Sequence, residues 1–481
     1  MAKKSIKLNA VLLSLKTVLS MAISLVTFPY ISRILQVDAV GKHNFAVSIV
    51  SYFILLAELG IYTYAVREGT KLREHREKIS LFASEMLSIQ FVAAAVSLLL
   101  LFVSVLLIPK LQDYWVLLLI LSAEIPLTAL SRSWLYAVYE DYGYLTVTQF
   151  TVQVIALVLM FLFVHTPNDL FVYTITYVIS RAGPGLVYCL HSRRYVHLKR
   201  INFFKLKQHM RPIILIFITA VSTTIYVNSD VTILGWLVDD EAVGLYSVAV
   251  KVYNIVKQVV TAVIAVAVPR LTLYVSTDNF KPFFNKVLKM MAMIILPAMT
   301  GLFLLSSNII QIVAGAEYLA ATTSMQILSI ALGFALFACL YASGVLIPNT
   351  KEKSNMIATI ISATINIILN FILIPLFHQD AAAFTTLIAE LLMLIICYCC
   401  ARKYAPLKCV TKTLLTIAAG CLSIVAVCLG IQMLDLSLYL ETILCVVASV
   451  LAYCMVQLAL KNEIFTQTAR SALNMFIKKG Q

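Results

Sequence analysis

Arg181, Asp230, Lys251 and Lys257 fall inside apolar stretches long enough to cross a bilayer. At the centre of a membrane helix each ionised side chain costs about 2.5–3.5 kcal/mol on insertion scales. Buried partners or a watery cavity must offset that cost. Arg and Lys at such depth suit a phosphate or diphosphate. Tyr, Asn, Gln and Thr beside them suit sugar hydroxyls.

The polar groups form stripes. Thr219, Thr223, Tyr226 and Asp230 follow one another at spacings of 4, 3 and 4, one helical face. Ser247, Lys251, Asn254, Lys257, Gln258 and Thr261 cover about a third of the next helix at 100° per residue. Thr174, Tyr177 and Arg181 precede a Gly183-Pro184-Gly185 breaker, and Lys16, Ser20 and Thr27 line the first span. Glu58, Glu124 and Glu390 are carboxylates at comparable depth, and Asn366 and Asn370 sit one turn apart. The candidate cavity residues are therefore Arg181, Lys251, Lys257, Asn254, Asp230, Lys16 and Tyr226. Glu58, Glu124, Asp230 and Glu390 are candidates for charge balance or coupling. The same stripes could serve as helix–helix glue, and Asp230 could simply pair with Lys251. Arg33 and Arg132 lie near span ends and are expected to snorkel to water. Glu85 is expected to be structural.

The elements that carry these residues follow from composition. The chain is 61% hydrophobic and 12% charged, with mean hydropathy +0.93; soluble domains are nearer a quarter charged. This is an all-α polytopic membrane protein, since lipid forbids unpaired backbone and the runs are not alternating barrel strands. Fourteen spans are expected, at 8–35, 44–66, 81–108, 115–138, 145–164, 169–190, 212–237, 243–270, 283–308, 322–348, 354–377, 382–401, 411–434 and 439–460. The net charge of +14 does not point to nucleic acid, because the basic residues mark topology. One set of loops collects Arg67 to Lys78, Arg193 to Arg211, Arg270 to Lys289, Lys351, Lys353 and Arg402 to Lys412; the other holds only Lys42 and Lys110. The positive-inside rule puts both termini in the cytoplasm. The ten cysteines show no CxxC or Cys/His metal spacing. No catalytic constellation, metal site or cofactor motif is expected.

Residues 39–47 read AVGKHNFAV and 242–250 read AVGLYSVAV, each after an Ile-Leu pair (Ile34-Leu35, Ile233-Leu234). Each copy joins the first and second span of a six-span unit, so the units cross the membrane the same way. This predicts a lobe at 1–190, a basic connector at 191–211, a second lobe at 212–402, and two further spans with a cytoplasmic tail at 403–481. The last two spans have no mid-membrane charge and are expected outside the cavity.

Phe28-Pro29-Tyr30-Ile31-Ser32-Arg33-Ile34-Leu35, running on to Val40-Gly41, resembles the first span and loop of Wzx-type oligosaccharide flippases. Asn228-Ser229-Asp230 through Gly235, then Ala242 through Ala249, is similar to their seventh span and the following loop. Gly315 through Ala321, Asn366 through Asn370, Ile374-Pro375, Ala381 through Ala383 and Glu390 resemble their later segments. The chain departs from that pattern with Gln36 in place of a usual Gly, Lys42-His43 in place of an aromatic, and Asp380-Ala381 in place of a Gly-rich turn.

The resemblance implies the multidrug/oligosaccharidyl-lipid/polysaccharide exporter superfamily, with a MATE-like pair of six-helix lobes around a central cavity. It implies a flippase that carries undecaprenyl-diphosphate-linked oligosaccharide repeat units to the outer leaflet of the bacterial plasma membrane by alternating access. The implied partners are that lipid-linked cargo, membrane lipids, and polysaccharide polymerase or export proteins. Two readings compete with it. A cation-coupled drug extruder of the same fold should have a cavity dominated by carboxylates and aromatics. A membrane polymerase or ligase needs a large extramembrane loop with acid/base or metal groups.

Overall fold

The computed structural model describes residues 6–197, 199, 206–275, 277–406 and 411–467. Arg200, Lys205 and Lys408 of the topology argument lie outside these residues. Among the described residues the regular elements are all helices. In chain order they are α1 (Ile6–Glu58), α2 (Ile61–Leu72), α3 (Arg76–Leu107), α4 (Pro109–Gln112), α5 (Trp115–Ser122), α6 (Glu124–Leu130), α7 (Ser133–Val138), α8 (Tyr142–Phe163) and α9 (Leu170–His191). There follow α10 (Lys207–Leu237), α11 (Asp240–Tyr274), α12 (Phe280–Leu304), α13 (Ser306–Val313), α14 (Thr322–Tyr341), α15 (Glu352–Ala401), α16 (Thr411–Gln432) and α17 (Leu438–Ala459).

Twelve helical segments in the described residues are long and apolar enough to cross a membrane. The expectation of fourteen spans differs by two because expected spans 1 and 2 run through one helix, α1, and spans 11 and 12 through another, α15. These helices have 53 and 50 residues, against about 20 for one crossing. Each is interrupted at one residue, α1 at Gln36 (φ 64, ψ 178) and α15 at His378 (φ 51, ψ −128).

Apolar side chains face both ways, as a membrane protein requires. Leu106, Leu107, Val266 and Leu273 are more than 70% exposed, and lipid is the solvent that accepts them. Leu328, Leu332, Leu336 and Leu340 of α14 recur at every fourth residue and are buried; one face of that helix is thus packed along its whole length.

The chain divides into two compact units, Met1–Gly244 and Leu245–Gln481. The seventh span, α10, therefore belongs with the first unit, although the sequence groups it with the second lobe. Its contacts give the reason. His209 at its start is hydrogen-bonded through Nδ1 to the Tyr64 hydroxyl (2.7 Å) and through Nε2 to the Glu85 carboxylate (3.1 Å). All three are buried, so Glu85 is structural as expected. Further along, Thr232 bonds Tyr52 and Ser48 of α1. In the second unit α16 and α17 pack on each other and on α12, where the Tyr453 hydroxyl donates to the Met293 carbonyl.

The repeat has a physical counterpart inside the first unit. A methyl group built on Gly41 would fall inside contact distance of the Asp240 carbonyl oxygen and 2.6 Å from its carbon. One built on Gly244 would collide with the Val37 carbonyl oxygen and lie 2.8 Å from Val37 Cγ1. Each carbonyl belongs to the residue four before the other copy's glycine. The two copies thus clasp each other by the same contact taken twice, and only glycine leaves room for it.

Gly41→Ala should accordingly lower the thermal midpoint in detergent, since overpacking at a rigid backbone contact costs about 1–3 kcal/mol or more. Gly301→Ala, where no atom lies within 4 Å of the new methyl, should instead be neutral or raise it, because Gly inside a helix is about 0.5–1 kcal/mol less stable than Ala. Equal midpoints for the two variants would refute the clasp.

Candidate membrane-embedded charge sites

In the first unit α6 and α9 bring two of the expected residues together. Arg181 Nε lies 3.4 Å from Glu124 Oε2. The guanidinium also sits over the Tyr177 ring, 5.6 Å from its centroid, and one turn of helix separates these two residues. Glu58 of α1 is within electrostatic range of the same guanidinium. The pair is lopsided: the Arg181 side chain is 60% exposed and that of Glu124 only 5%. A carboxylate held in protein thus fixes a cation that still reaches open space. At this depth a guanidinium so displayed is a ready partner for an anion.

His43 completes this corner. Its ring lies between Tyr173 and Tyr177, with centroids 4.6 and 4.7 Å away. Its Nδ1 is 3.1 Å from Thr174 Oγ1. That hydroxyl already donates to the Leu170 carbonyl, so His43 donates from Nδ1 and Nε2 is left an acceptor. Nε2 is buried and has no hydrogen-bond partner. Asp230 and Ser229 are buried on α10, with Tyr226 half-buried one turn before them. Asp230 lies within electrostatic range of Tyr52. Lys16 is half-buried on α1 and makes no ion pair among the described residues. One turn on, Ser20 donates to Gln153 of α8 (3.0 Å).

In the second unit Lys257 Nζ donates to Glu390 Oε1 at 2.8 Å and to the Tyr253 hydroxyl at 3.0 Å. The Tyr253 hydroxyl donates in turn to the same carboxylate oxygen at 3.0 Å. Glu390 is 7% exposed and Lys257 31%. Lys251 is half-buried and Asn254 exposed on the same helix. On α15, Asn366, Asn370 and Thr385 form a fully buried amide–hydroxyl network across the break at His378, in which Thr385 donates to Asn370 Oδ1.

Residues 6–275, more than half of the chain, match the family described as polysaccharide biosynthesis protein. The chain belongs to that family. This family member is 20% identical over 396 residues to a protein of Escherichia coli (strain K12) whose name assigns it provisionally as an O-antigen transporter. The match covers 81% of this chain and 95% of the relative. A solved structure described as lipid II flippase MurJ in an inward closed conformation superposes with TM-score 0.78 at 17% identity, covering 94% of this chain and all of the other. An inward-facing MATE-family multidrug resistance transporter of the MOP superfamily gives TM-score 0.58 at 10% identity over 82% and 97% of the two chains. Identities this low establish the fold, a multi-pass helical membrane protein of the MurJ and MATE type.

Within this polysaccharide biosynthesis protein one sequence reading needs amendment. Arg132 does not snorkel. It is 7% exposed, its Nη1 donates to Ser192 Oγ at 2.8 Å, and its Nε is buried without a partner. It holds a left-handed backbone conformation (φ 45) between α6 and α7. Glu390, a candidate for charge balance, is the direct partner of Lys257. Sequence reasoning also passed over His43 as a site residue; its replacement of a usual aromatic was the available signal.

Removing one partner of a fully buried pair costs about 3–5 kcal/mol, and less here because Lys257 keeps a third of its side chain accessible. Lys257→Met should therefore lower the melting temperature clearly more than Arg181→Met, since Arg181 is mostly exposed. Adding Glu390→Gln to Lys257→Met should recover most of the loss. Additive destabilisation in that double-mutant cycle would show that the pair does not act as a unit.

Proposed function

We propose that this protein is a flippase for diphosphate-linked lipid oligosaccharides. It would move repeat units of a surface polysaccharide from the cytoplasmic to the outer leaflet of a bacterial plasma membrane, with both termini in the cytoplasm. The observation that carries the reading is the Arg181–Glu124 pair: a guanidinium at membrane depth, held from behind by a buried carboxylate and still 60% exposed. An anion meets such a group at low cost, because the cation is already in place and already partly desolvated. Membership of a polysaccharide biosynthesis family supplies the sugar-bearing cargo. The O-antigen transporter relative and the lipid II flippase neighbour agree with a lipid-linked form of it.

On this reading Arg181 meets the diphosphate, and Lys16 adds a second positive charge from α1 of the same unit. Lys251 and Asn254 are the candidate cargo contacts of the second unit, taken by itself. Tyr226 and Asp230 offer hydrogen bonds to the first sugars. Glu124 and Glu58 keep the empty protein from holding excess positive charge between cycles, and Glu390 does the same for Lys257. Alternating access would expose these groups to each leaflet in turn. Polymerase or export proteins would receive the delivered units.

Arg181→Ala should reduce delivery of the lipid-linked oligosaccharide in a leaflet-resolved vesicle assay by about tenfold or more, the loss of one charge-assisted contact of about 1.5–3 kcal/mol. Arg181→Lys should retain part of the rate, as a point charge replaces the bidentate fork. Wild-type delivery by Arg181→Ala combined with Lys16→Ala would overturn the anion-binding roles.

A further inference from the structure

The first unit contains a second candidate site at the end of the spans away from the basic loops. Three turns meet there around a cavity of about 460 Å³, within the usual range for small-molecule clefts. The turn at Gln36 contributes Gln36, Asp38 and Lys42; the start of α5 contributes Asp113 and Tyr114; and the turn before α9 contributes Asn168 and Phe171.

Each rim is fixed independently. Asp38 and Lys42 form an ion pair at 2.7 Å. Tyr114 is buried, edges onto Phe45 with centroids 4.9 Å apart, and donates to Asp240 Oδ1 at 2.6 Å. Burial first, and Asp240 second, hold its phenol above the ordinary tyrosine range, so it remains a neutral donor. The Asn168 turn is closed by Asp169, whose Oδ2 accepts from the His165 and Thr166 backbone N–H groups and the Thr166 hydroxyl. Asn168 lies inside that loop.

Gln36 supplies the pointed observation. Its torsions (φ 64, ψ 178) lie in a region that is essentially reserved for glycine. Glycine would relieve the strain there and would forfeit only a side chain. A strained glutamine is worth keeping if its side chain is used, and Gln36 lines the cavity. Among the described residues the Gln36 amide, the Asp113 carboxylate and the Asn168 amide make no side-chain hydrogen bond. Planar amides and carboxylates beside Phe171 and Tyr114 match the hydroxylated edge and apolar face of a pyranose ring. Asp38 and Asp113 against Lys42 leave the cup with a formal charge of −1, which disfavours a diphosphate.

We infer that this cup binds a single hexose-sized sugar unit, neutral or amino-substituted, of the oligosaccharide the protein delivers. The inference rests on the flippase reading for the source of the sugar. The cup holds the glycan on the outer side once its lipid-linked end has crossed.

The test uses the full chain in lipid nanodiscs. The probe is the repeat-unit saccharide released by mild acid from the cell's own lipid-linked pool, followed by saturation-transfer NMR. Wild type should bind it saturably. Asp113→Ala with Asn168→Ala, both exposed positions, should weaken binding about tenfold, the loss of two hydrogen bonds. Gln36→Gly should weaken binding while raising the melting temperature. No saturable binding to wild type, or unchanged affinity in the double variant, overturns the cup. Delivery measured on the same preparation separates the two ideas. Wild type that delivers lipid-linked oligosaccharide but does not bind the free saccharide dismisses the cup and leaves the flippase. Wild type that binds at the cup and delivers nothing dismisses the flippase.

Discussion

A charge inside hydrocarbon must be answered from within the protein, because no water is at hand to answer it. This constraint organises both units. Glu124 and Arg181 belong to α6 and α9, and Lys257 and Glu390 to α11 and α15. Each pair ties together helices that are distant in sequence. In each the carboxylate is the more deeply buried member and the cation the more accessible one. Each pair is neutral as a whole, with its positive member the more accessible one.

Close backbone approach is the second constraint, and it depends on residues that carry no charge at all. Gly41 and Gly244 let the two repeat copies meet carbonyl to Cα, and Gly235 admits the Phe45 ring against α10. In a membrane, small residues at such crossings do what apolar burial does in water, since lipid tails solvate leucine as well as a neighbouring helix does. Packing of this kind fixes where Tyr114 and Asp240 stand, and hence one wall of the outer cup. The charged sites and the tight crossings are therefore coupled through shared helices, α1 above all.

Much of this was legible in the sequence. Hydropathy alone gives the helical membrane class, and the stripes on α9, α10 and α11 name most of the charged residues. The short AVG repeat locates the clasp, although nothing in one sequence says that the copies touch. Pairing was the illegible part. Lys257 has carboxylates at several compatible depths, and only the packing of α11 on α15 selects Glu390. Arg132 shows the converse: its distance from a span end suggested water, but a left-handed backbone angle directs it to Ser192. Torsions of that kind leave no periodic trace. The expected spans 1 and 2, and 11 and 12, meet next to the interruptions of α1 and α15 at Gln36 and His378, although no hydropathy window shows that each break takes a single residue.

Those two interruptions bear on how the chain departs from its relatives' pattern. Gln36 replaces a usual glycine, and His378 stands just before Asp380-Ala381, where a glycine-rich turn is usual. The backbone adopts positive φ at both points. Each such torsion costs about 1–3 kcal/mol for a residue held in a sparsely populated region. Neighbouring packing has to offset that cost. Ile31, Leu35 and Val37 are buried around the first break, and Ile374, Ala381, Ala382 and Ala383 around the second. A loop that could relax would not keep such torsions. The breaks in α1 and α15 are therefore set by the helices on either side of them, and the residues at the breaks are left to be chosen for their side chains.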